Sequence, residues 1–202
     1  MDPQKVLALD ISSSAGFAYF HGELREYGLT ALPNIIHSYG QYPWSFHHAA
    51  KDMAARLYER VVHFNPDVVV IEETNLARAR YSQKFLEFTH AYLLELLKVK
   101  GVTVIYVSSS SWRSTLGLVM SKEDKRNNAK LSRAEKKARE AGTKVDKKSL
   151  GIRGKVGKKH LAIRYVNDTY GLNLKVKDND IADAICLGTA YILDAPHCDG
   201  II

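Results

Sequence analysis

Asp180 and Asp183 stand three positions apart at the start of the apolar run "DNDIADAICLGTAYIL", residues 178–193. In a helix, positions i and i+3 share one face, where a like-charge pair costs about 0.2–0.5 kcal/mol. A helix N-terminus would offset part of this cost, because its unpaired N–H groups stabilise carboxylates. A divalent cation held between the two side chains would offset it as well, and this second interpretation implies chemistry.

Further acidic residues end two apolar runs that predict buried strands. Asp10 ends the run in "KVLALDIS", and Glu72 and Glu73 end "DVVVIEE". A charge at the edge of a core is costly unless it is paired or bound to a metal. Each acid alone has an ordinary explanation: Asp10 as a turn former, Glu72 as a solvated strand end and Asp180 as part of a helix cap.

Taken together, the four carboxylates of Asp10, Glu72, Asp180 and Asp183 predict a site for hard divalent cations. Three or four carboxylates can hold two ions about 3.5–4 Å apart, and such a pair stabilises both the attacking and the leaving oxygen in phosphodiester hydrolysis. We therefore predict two Mg²⁺ ions, with Mn²⁺ as an alternative, and no organic cofactor. Glu73 remains an alternative to Glu72, because a shift of one residue exchanges the two faces of a strand.

Length and composition indicate one soluble domain. The chain has 202 residues, of which 46% are hydrophobic and 25% are charged, and this is enough to bury a core. No run approaches the roughly 18 apolar residues of a membrane span, and no signal-peptide pattern is visible, so we expect no membrane association and a cytoplasmic location. The two cysteines, Cys186 and Cys198, predict neither a disulfide framework nor a metal site.

Basic residues are concentrated in one segment. Residues 122–164 hold 16 Lys and Arg against five Asp and Glu, whereas the rest of the chain holds 13 against 17. Residues 121–157 have few apolar side chains, so we predict a lysine-rich insertion that is partly mobile and helical in its middle. Many such segments are only solvated surface. Beside clustered carboxylates, however, a cationic segment favours a polyanionic substrate, attracted through counterion release.

Hydrophobic periodicity predicts the elements that would position these side chains. We expect strands at 5–12, 17–22, 24–27, 67–73 and 102–107, and helices at 45–64, 82–100, 158–172 and 180–194, with a short serine-capped helix in "SSSSWRSTLGL". Gly16 is predicted to form the first turn, Ser45 to cap the first long helix, and both 67–73 and 102–107 to be buried. This order predicts an α/β fold with a mixed five-stranded sheet flanked by helices. Sites in such sheets form at the carboxyl ends of strands, where Asp10 and Glu72 lie.

The same residues carry a family resemblance. The stretches "LALDISSSAGFAYF", "VVVIEETN" and "DNDIADAICLG" resemble the first strand, the glutamate strand and the closing helix of RuvC-type Holliday junction resolvases, in the RNase H-like superfamily. Order and spacing agree over residues 5–193, and the basic insertion most resembles the resolvases of bacteriophages. The resemblance implies an RNase H-like fold and a homodimer that nicks two opposing strands of a four-way DNA junction with Mg²⁺. It also implies that the four carboxylates are metal ligands, with Asp10 bridging the ions.

Basic side chains are the candidates for DNA contacts. Those near a predicted helix start and in the insertion are Lys155, Lys158, Lys159, Lys136 and Lys137. For the first three, simple solvation of a helix start is the alternative. Arg113 follows the strand at 102–107, where an arginine can reach a phosphate, although a short helix anchored by a core tryptophan, Trp112, is the simpler interpretation.

The resemblance also implies an aromatic wedge and a subunit contact. The family's wedge follows the glutamate strand, where this sequence has Asn75, so Tyr81 or Phe85 would have to replace it. A junction cut symmetrically suits a two-fold protein. We expect the apolar stripe of the helix at 82–100 to form the contact between the two subunits.

Three other interpretations remain open. The stretch "DISSSAG" also resembles the phosphate loop of actin and sugar kinases, but those proteins need two such domains to enclose ATP. An RNase H-like nuclease of RNA precursors would keep the fold and change the substrate. A non-catalytic nucleic-acid-binding module would use its carboxylates only as caps. His47, His48 and His160 lack ligand spacing with a third residue and do not favour any of these.

Overall fold

The computed structural model describes residues 2–73, 80–147, 149–152 and 154–194, without the side chains of 80–82. These residues form five strands and six α-helices, in the order β1 (Lys5–Asp10), β2 (Ser14–His21), β3 (Glu23–Ala31), α1 (Trp44–Phe64), β4 (Val68–Glu72), α2 (Arg80–Lys100), β5 (Thr103–Val107), α3 (Ser109–Thr115), α4 (Lys122–Glu140), α5 (Lys158–Tyr170) and α6 (Asn179–Asp194). Over the same residues, no helix is both long and apolar enough to cross a membrane.

The strands form one mixed sheet in the order β3-β2-β1-β4-β5. β1, β2 and β3 pair antiparallel as a meander, whereas β4 pairs parallel with both β1 and β5. The predicted mixed five-stranded α/β fold is therefore confirmed. Because β1, β4 and β5 are parallel, all three end at the same side of the sheet, which we call the carboxyl edge.

Alternating side chains of the strands feed two separate cores. Leu7 and Leu9 of β1 pack with α1 and α2 on one face, whereas Val6 and Ala8 pack with α5 and α6 on the other. This alternation follows from the two-residue period of a strand, and it requires apolar side chains on both faces of the central strands. The next residue on the face of Val6 and Ala8 is Asp10, so its carboxylate points to the α6 side.

Close packing brings α6 onto the sheet. A Cβ atom added to Gly16 would lie 1.9 Å from the carbonyl oxygen of Asp180, and one added to Gly188 would lie 2.3 Å from the Phe20 ring. The prediction that Gly16 forms a turn is wrong, since Gly16 lies within β2 and pairs with Asp10. Glycine is required there for the approach of another backbone, and the start of α6 consequently sits over the end of β1.

Three other local predictions differ from the structure. Ser45 does not cap α1: the N-cap position is Pro43, and Ser45 lies buried inside the helix. The strand 102–107 is half-exposed rather than buried, because β5 is an edge strand with a neighbour on one side only. The predicted strand 24–27 extends to Glu23–Ala31, because it pairs along the full length of β2.

The lysine-rich insertion contains a long helix. α4 has 19 residues and is capped by Ser121, whose side chain accepts a hydrogen bond from the Asp124 N–H. The prediction of a helical middle is confirmed. Leu131 is buried, and the Asn128 side-chain amide both donates to the Val156 carbonyl at 2.7 Å and accepts from its N–H at 2.9 Å. The insertion is thus fastened to the segment that leads into α5.

The apolar stripe of α2 faces inward. Phe85 is 2% exposed, and Phe88 and Tyr92 pack against the same core as α1. The Tyr92 hydroxyl lies 2.6 Å from Nδ1 of His47 on α1. Phe85 is therefore covered by α1 and the sheet, whereas Phe88 and Tyr92 remain half-exposed, and the contact between two subunits through this stripe stays a prediction.

Candidate active site

Two of the predicted carboxylates lie side by side at the carboxyl edge. β1 and β4 are parallel neighbours, with Leu9 opposite Ile71, so Asp10 and Glu72 occupy the next positions on adjacent strands. Val68 and Val70 face the same core as Val6 and Ala8. Glu72 continues that alternation on β4 as Asp10 does on β1, so both carboxylates emerge towards α6.

The structure separates Glu72 from its neighbour Glu73. Glu72 is the last residue of β4, and its Oε2 accepts a hydrogen bond from Nε1 of Trp112 at 3.1 Å. Glu73 lies beyond the strand with an exposed side chain, and its N–H donates to the Val107 carbonyl. The sequence left open whether Glu72 or Glu73 lies beside Asp10. In the structure, Glu72 shares the face of Asp10, and Glu73 does not.

The other two carboxylates come from the first turns of α6. Asp180 lies where the helix passes Gly16, and Asp183 follows one turn later, 8% exposed. The Asn179 side chain donates to Asp180 Oδ1. On Asp183, Oδ2 pairs with Nη2 of Arg113 at 3.3 Å, whereas Oδ1 is buried without a hydrogen-bond partner.

Burial perturbs all four carboxylates, and repulsion between them adds to the effect at Asp10 and Asp183. Burial raises the pKa of Asp10 well above its usual range, and the nearby charges of Glu72, Asp183 and Asp180 raise it further. Burial likewise raises the pKa of Asp183 to about 6, although the Arg113 guanidinium opposes the rise. The pKa values of Glu72 and Asp180 are raised by burial too. Carboxylates from three elements thus form one electrostatically coupled group.

Two residues that precede the insertion support this group. Trp112 is fully buried, and its indole N–H donates to Glu72. The Arg113 guanidinium stacks 4.0 Å from the Trp112 ring and pairs with Asp183. The sequence predicted the core role of Trp112 but not its contact with Glu72, because only the fold places α3 next to the end of β4. The sequence signal that could have indicated this contact was a Trp-Arg pair soon after a predicted strand.

Lys158 and Lys159 also lie at the site, at the start of α5. The charge of Lys158 lowers the pKa of Glu72, and that of Lys159 lowers the pKa values of Asp180 and Asp183, each against the larger effect of burial.

The other predicted DNA contacts lie elsewhere, in the insertion. Lys155 pairs with Glu135 at 2.5 Å, Lys136 lies 4.0 Å from Glu140, and Lys137 is in the last turn of α4. The structure therefore divides the predicted basic residues into a set at the carboxylates and a set on the insertion.

Of the two predicted wedge residues, only Phe85 has a described side chain, and it does not lie at the site. Phe85 belongs to the core beneath α1 and is excluded as a wedge by its burial. Asn75 and the side chain of Tyr81 lie outside the described residues, as does Cys198.

The donor set suits a hard divalent cation. Four carboxylates supply only oxygen ligands, and the buried, unpartnered Oδ1 of Asp183 needs either a cation or a proton. Among the described residues, however, no group of three or more Asp, Glu, His or Cys side chains is already arranged to hold a metal ion. The residues fit such an ion in the chemistry of their oxygen donors.

Comparison with known proteins found similar folds among solved structures. No protein family model and no curated protein matches this sequence. Among solved structures, T. thermophilus RuvC in complex with Holliday junction substrate has a TM-score of 0.61 at 14% identity, covering 95% of each chain. Thermus thermophilus RuvC has a TM-score of 0.55 at 15% identity, covering 97% of this chain and 98% of that one.

A third similar structure is the yeast mitochondrial Holliday junction resolvase Ydc2, with a TM-score of 0.53 at 14% identity, covering 95% of this chain and 79% of that one. At such identities the likeness is one of fold. The predicted resemblance to RuvC-type resolvases and their RNase H-like fold is confirmed at that level.

Proposed function

We propose that this chain is a metal-dependent endonuclease that resolves four-way DNA junctions by paired, symmetric phosphodiester hydrolysis. The observation that carries the proposal is the grouping of Asp10, Glu72, Asp180 and Asp183 at the carboxyl edge. The fold that groups them is similar to that of the resolvases named above. Asp10, Glu72 and the Asp180–Asp183 pair lie far apart in the chain and have no structural need to meet as four buried or half-buried like charges. A bound cation would explain why these like charges meet.

The four carboxylates would hold two Mg²⁺ ions, with Mn²⁺ as an alternative. When bound, such ions activate water and stabilise the charge that develops on the phosphate and on the leaving oxygen. The chain itself contributes the fixed geometry: β1 and β4 hold Asp10 and Glu72 side by side, and α6 holds Asp180 and Asp183 on one helical face. Burial excludes water and strengthens every electrostatic interaction there.

Basic residues at the site would position the scissile strand. Lys158 and Lys159 stand next to the carboxylates, where their ammonium groups would contact phosphates on either side of the bond that is cut. Arg113 pairs with Asp183 and would reach a phosphate oxygen once that carboxylate turns to a cation. The insertion would add phosphate contacts through Lys136, Lys137 and Lys155.

We propose that the active form is a homodimer. Two equivalent cuts on a four-way junction require two equivalent sites related by a two-fold axis. Phe85, which is buried beneath α1, would not take part in the contact between the two subunits.

The test is a cleavage assay on three substrates. A labelled four-way junction, a linear duplex of the same sequence and an RNA hairpin are incubated with the protein, with and without Mg²⁺. We expect paired nicks on the junction that require Mg²⁺ and that disappear in Asp183→Asn. Junction binding should survive in that variant, because loss of a negative charge does not weaken attraction to DNA.

The other outcomes select the alternatives. Cleavage of the RNA hairpin alone would favour a nuclease of RNA precursors. Junction binding that is indifferent to Mg²⁺ and to Asp183→Asn, without cleavage, would favour a non-catalytic module. Asp67→Asn is the matched control, because Asp67 accepts a hydrogen bond from the Lys5 N–H at the opposite edge of the sheet.

A further inference from the structure

Two exposed aromatic side chains stand at the start of α1. Tyr42 is 59% exposed and Trp44 is 64% exposed. α1 ends at Phe64, shortly before β4, which starts at the edge of the sheet opposite to the carboxyl edge. The beginning of α1 therefore lies on the same side of the molecule as Asp10 and Glu72.

The length of α1 carries these rings past the sheet. Its 21 residues extend about 31 Å at ~1.5 Å per residue, whereas the six residues of β1 extend about 20 Å at ~3.3 Å per residue. The connection before α1 stays at this edge too, since the Leu32 N–H donates to the Ser13 carbonyl at 3.2 Å. Tyr42 and Trp44 consequently stand at the carboxyl edge on the face of the sheet that α1 covers, whereas the carboxylates emerge on the other face of the same edge.

Both rings are held from behind by other side chains. The Tyr42 ring meets the buried Phe46 ring edge-on, at 5.9 Å between centroids, and the Lys84 ammonium donates to its hydroxyl at 2.9 Å. The Trp44 ring lies 5.9 Å from the ring of His47, which in turn stacks on α2. Rings fixed in this way lose little freedom when a flat ligand stacks on them, so binding costs less entropy.

The segment that carries the rings has no acidic side chain. Residues 27–51 contain no Asp or Glu and include Lys51 and three histidines. The next acid, Asp52, already pairs with Arg56 at 2.8 Å and accepts from the Tyr39 hydroxyl at 2.6 Å. A flat aromatic surface in an acid-free segment, with the Lys84 ammonium at Tyr42, suits a ligand that combines planar rings with negative charge.

A nucleic acid strand with an unpaired base has this chemistry, because bases stack on Tyr and Trp while phosphates meet the cations. We infer that Tyr42 and Trp44 form a stacking platform for an unpaired base of the DNA that is held at the carboxylates. The inference rests on the proposed function in naming DNA as the polymer. The platform would hold a base out of the duplex next to the strand that is cut.

Tryptophan fluorescence tests the platform directly. The chain has two tryptophans, and the other one, Trp112, is fully buried. In the Asp10→Asn chain with Mg²⁺ present, a single-stranded oligothymidylate should quench Trp44 and protect it from iodide. A fully paired duplex should quench it much less, and a four-way junction should quench it as the single strand does. The signal should be lost in Trp44→Phe.

Substitutions measure the strength of stacking. Trp44→Ala should weaken binding of the single-stranded oligonucleotide roughly 5- to 150-fold, the range for loss of one stacking side chain, and Trp44→Phe should retain most of the affinity. Tyr42→Ala should weaken it within the same range. The matched control is Tyr27→Ala, which removes an exposed ring in the middle of β3 and should change nothing.

Three results would overturn the platform. The first is unchanged oligonucleotide binding and fluorescence in Trp44→Ala, when the melting temperature shows an intact fold. The second is a loss of dimers in Trp44→Ala, seen by sedimentation, while its DNA binding is unchanged. The rings would then face a second copy of the chain. The third is quenching by oligouridylate RNA but not by DNA. Failure of the proposed function gives a different pattern: the unsubstituted chain cuts no junction with Mg²⁺, while the Trp44 signal persists.

Discussion

The carboxylate site and the basic insertion use charge in opposite ways. At the site, four acids of one sign lie together, Asp183 buried and the other three half-buried, and burial raises the pKa of each of them. In the insertion, charges of both signs lie on the surface of α4, as in the exposed pair of Lys136 and Glu140 at 4.0 Å. Coulomb interactions are strong where water is excluded and weak where it screens them. A single substitution should therefore matter greatly in one region and little in the other.

The largest expected effect is the loss of cleavage in Asp10→Asn. Metal ions contribute several kcal/mol to such reactions, so losing a shared ligand should slow junction cleavage by about a thousandfold or more. The same change should raise the melting temperature in EDTA by a few degrees, because it removes a buried charge among three others. Single-turnover cleavage and calorimetry measure the two effects. A variant that loses both activity and stability would contradict the interpretation, and Asp67→Asn should lose neither.

Trp112→Phe should have the second-largest effect. The change keeps an aromatic ring in the core but removes the N–H that donates to Glu72. Loss of a hydrogen bond that orients a metal ligand typically lowers activity or metal affinity about 10- to 100-fold. The Mg²⁺ concentration for half-maximal cleavage should rise, and isothermal calorimetry with Mn²⁺ should show weaker binding. Leu131→Val, a core change of similar severity in the insertion, controls for simple loss of stability, and an equal rise with it would refute the positioning role.

The third prediction concerns pH. The pKa of Asp183 is about 6 in the folded chain, above its ordinary value, so the folded state binds a proton more tightly than the unfolded state does. Without metal, this tighter protonation of Asp183 contributes on the order of 2–3 kcal/mol to the free energy of unfolding. The contribution is fully present below about pH 4 and is lost as the pH rises through about 6. Urea titrations in EDTA across this window should show the loss, and Asp183→Asn should flatten it. Equal slopes in both proteins would refute the assignment.

The smallest effects should come from the insertion. Lys136→Gln and Lys137→Gln should each weaken junction binding only a few-fold and reduce the salt dependence by about one released ion. Cleavage at saturating protein should remain unchanged. Lys100→Gln, at the far end of α2, is the matched control. A hundredfold loss of junction affinity on changing either insertion lysine would mean that α4 makes a specific contact with the DNA. It would contradict a role in general electrostatic attraction only.

Much of the fold could be predicted because its signals are local. An apolar run predicted β1 and an unbroken β-branched run predicted β4, both near their observed limits, and helical spacing with Gly171 as the stop predicted α5. The misses arose where distant residues decide the outcome. Gly16 resembles a turn residue in sequence, yet its strand position depends on the backbone of Asp180. The stripe of α2 is equally apolar whether it meets α1 or another subunit, so its contact between subunits stays a prediction.

The sequence by itself determined which side chains could do the chemistry: Asp10 and Glu72 at strand ends, and Asp180 and Asp183 on one helix face. Their type and spacing follow from the periods of strands and helices, which are properties of the local chain. Only the tertiary structure decided that Glu72 rather than Glu73 shares the face of Asp10, that Trp112 donates to it, and that Trp44 stands at the same edge. These facts depend on strand order and on α6 crossing β1, which bring together residues that no local pattern connects.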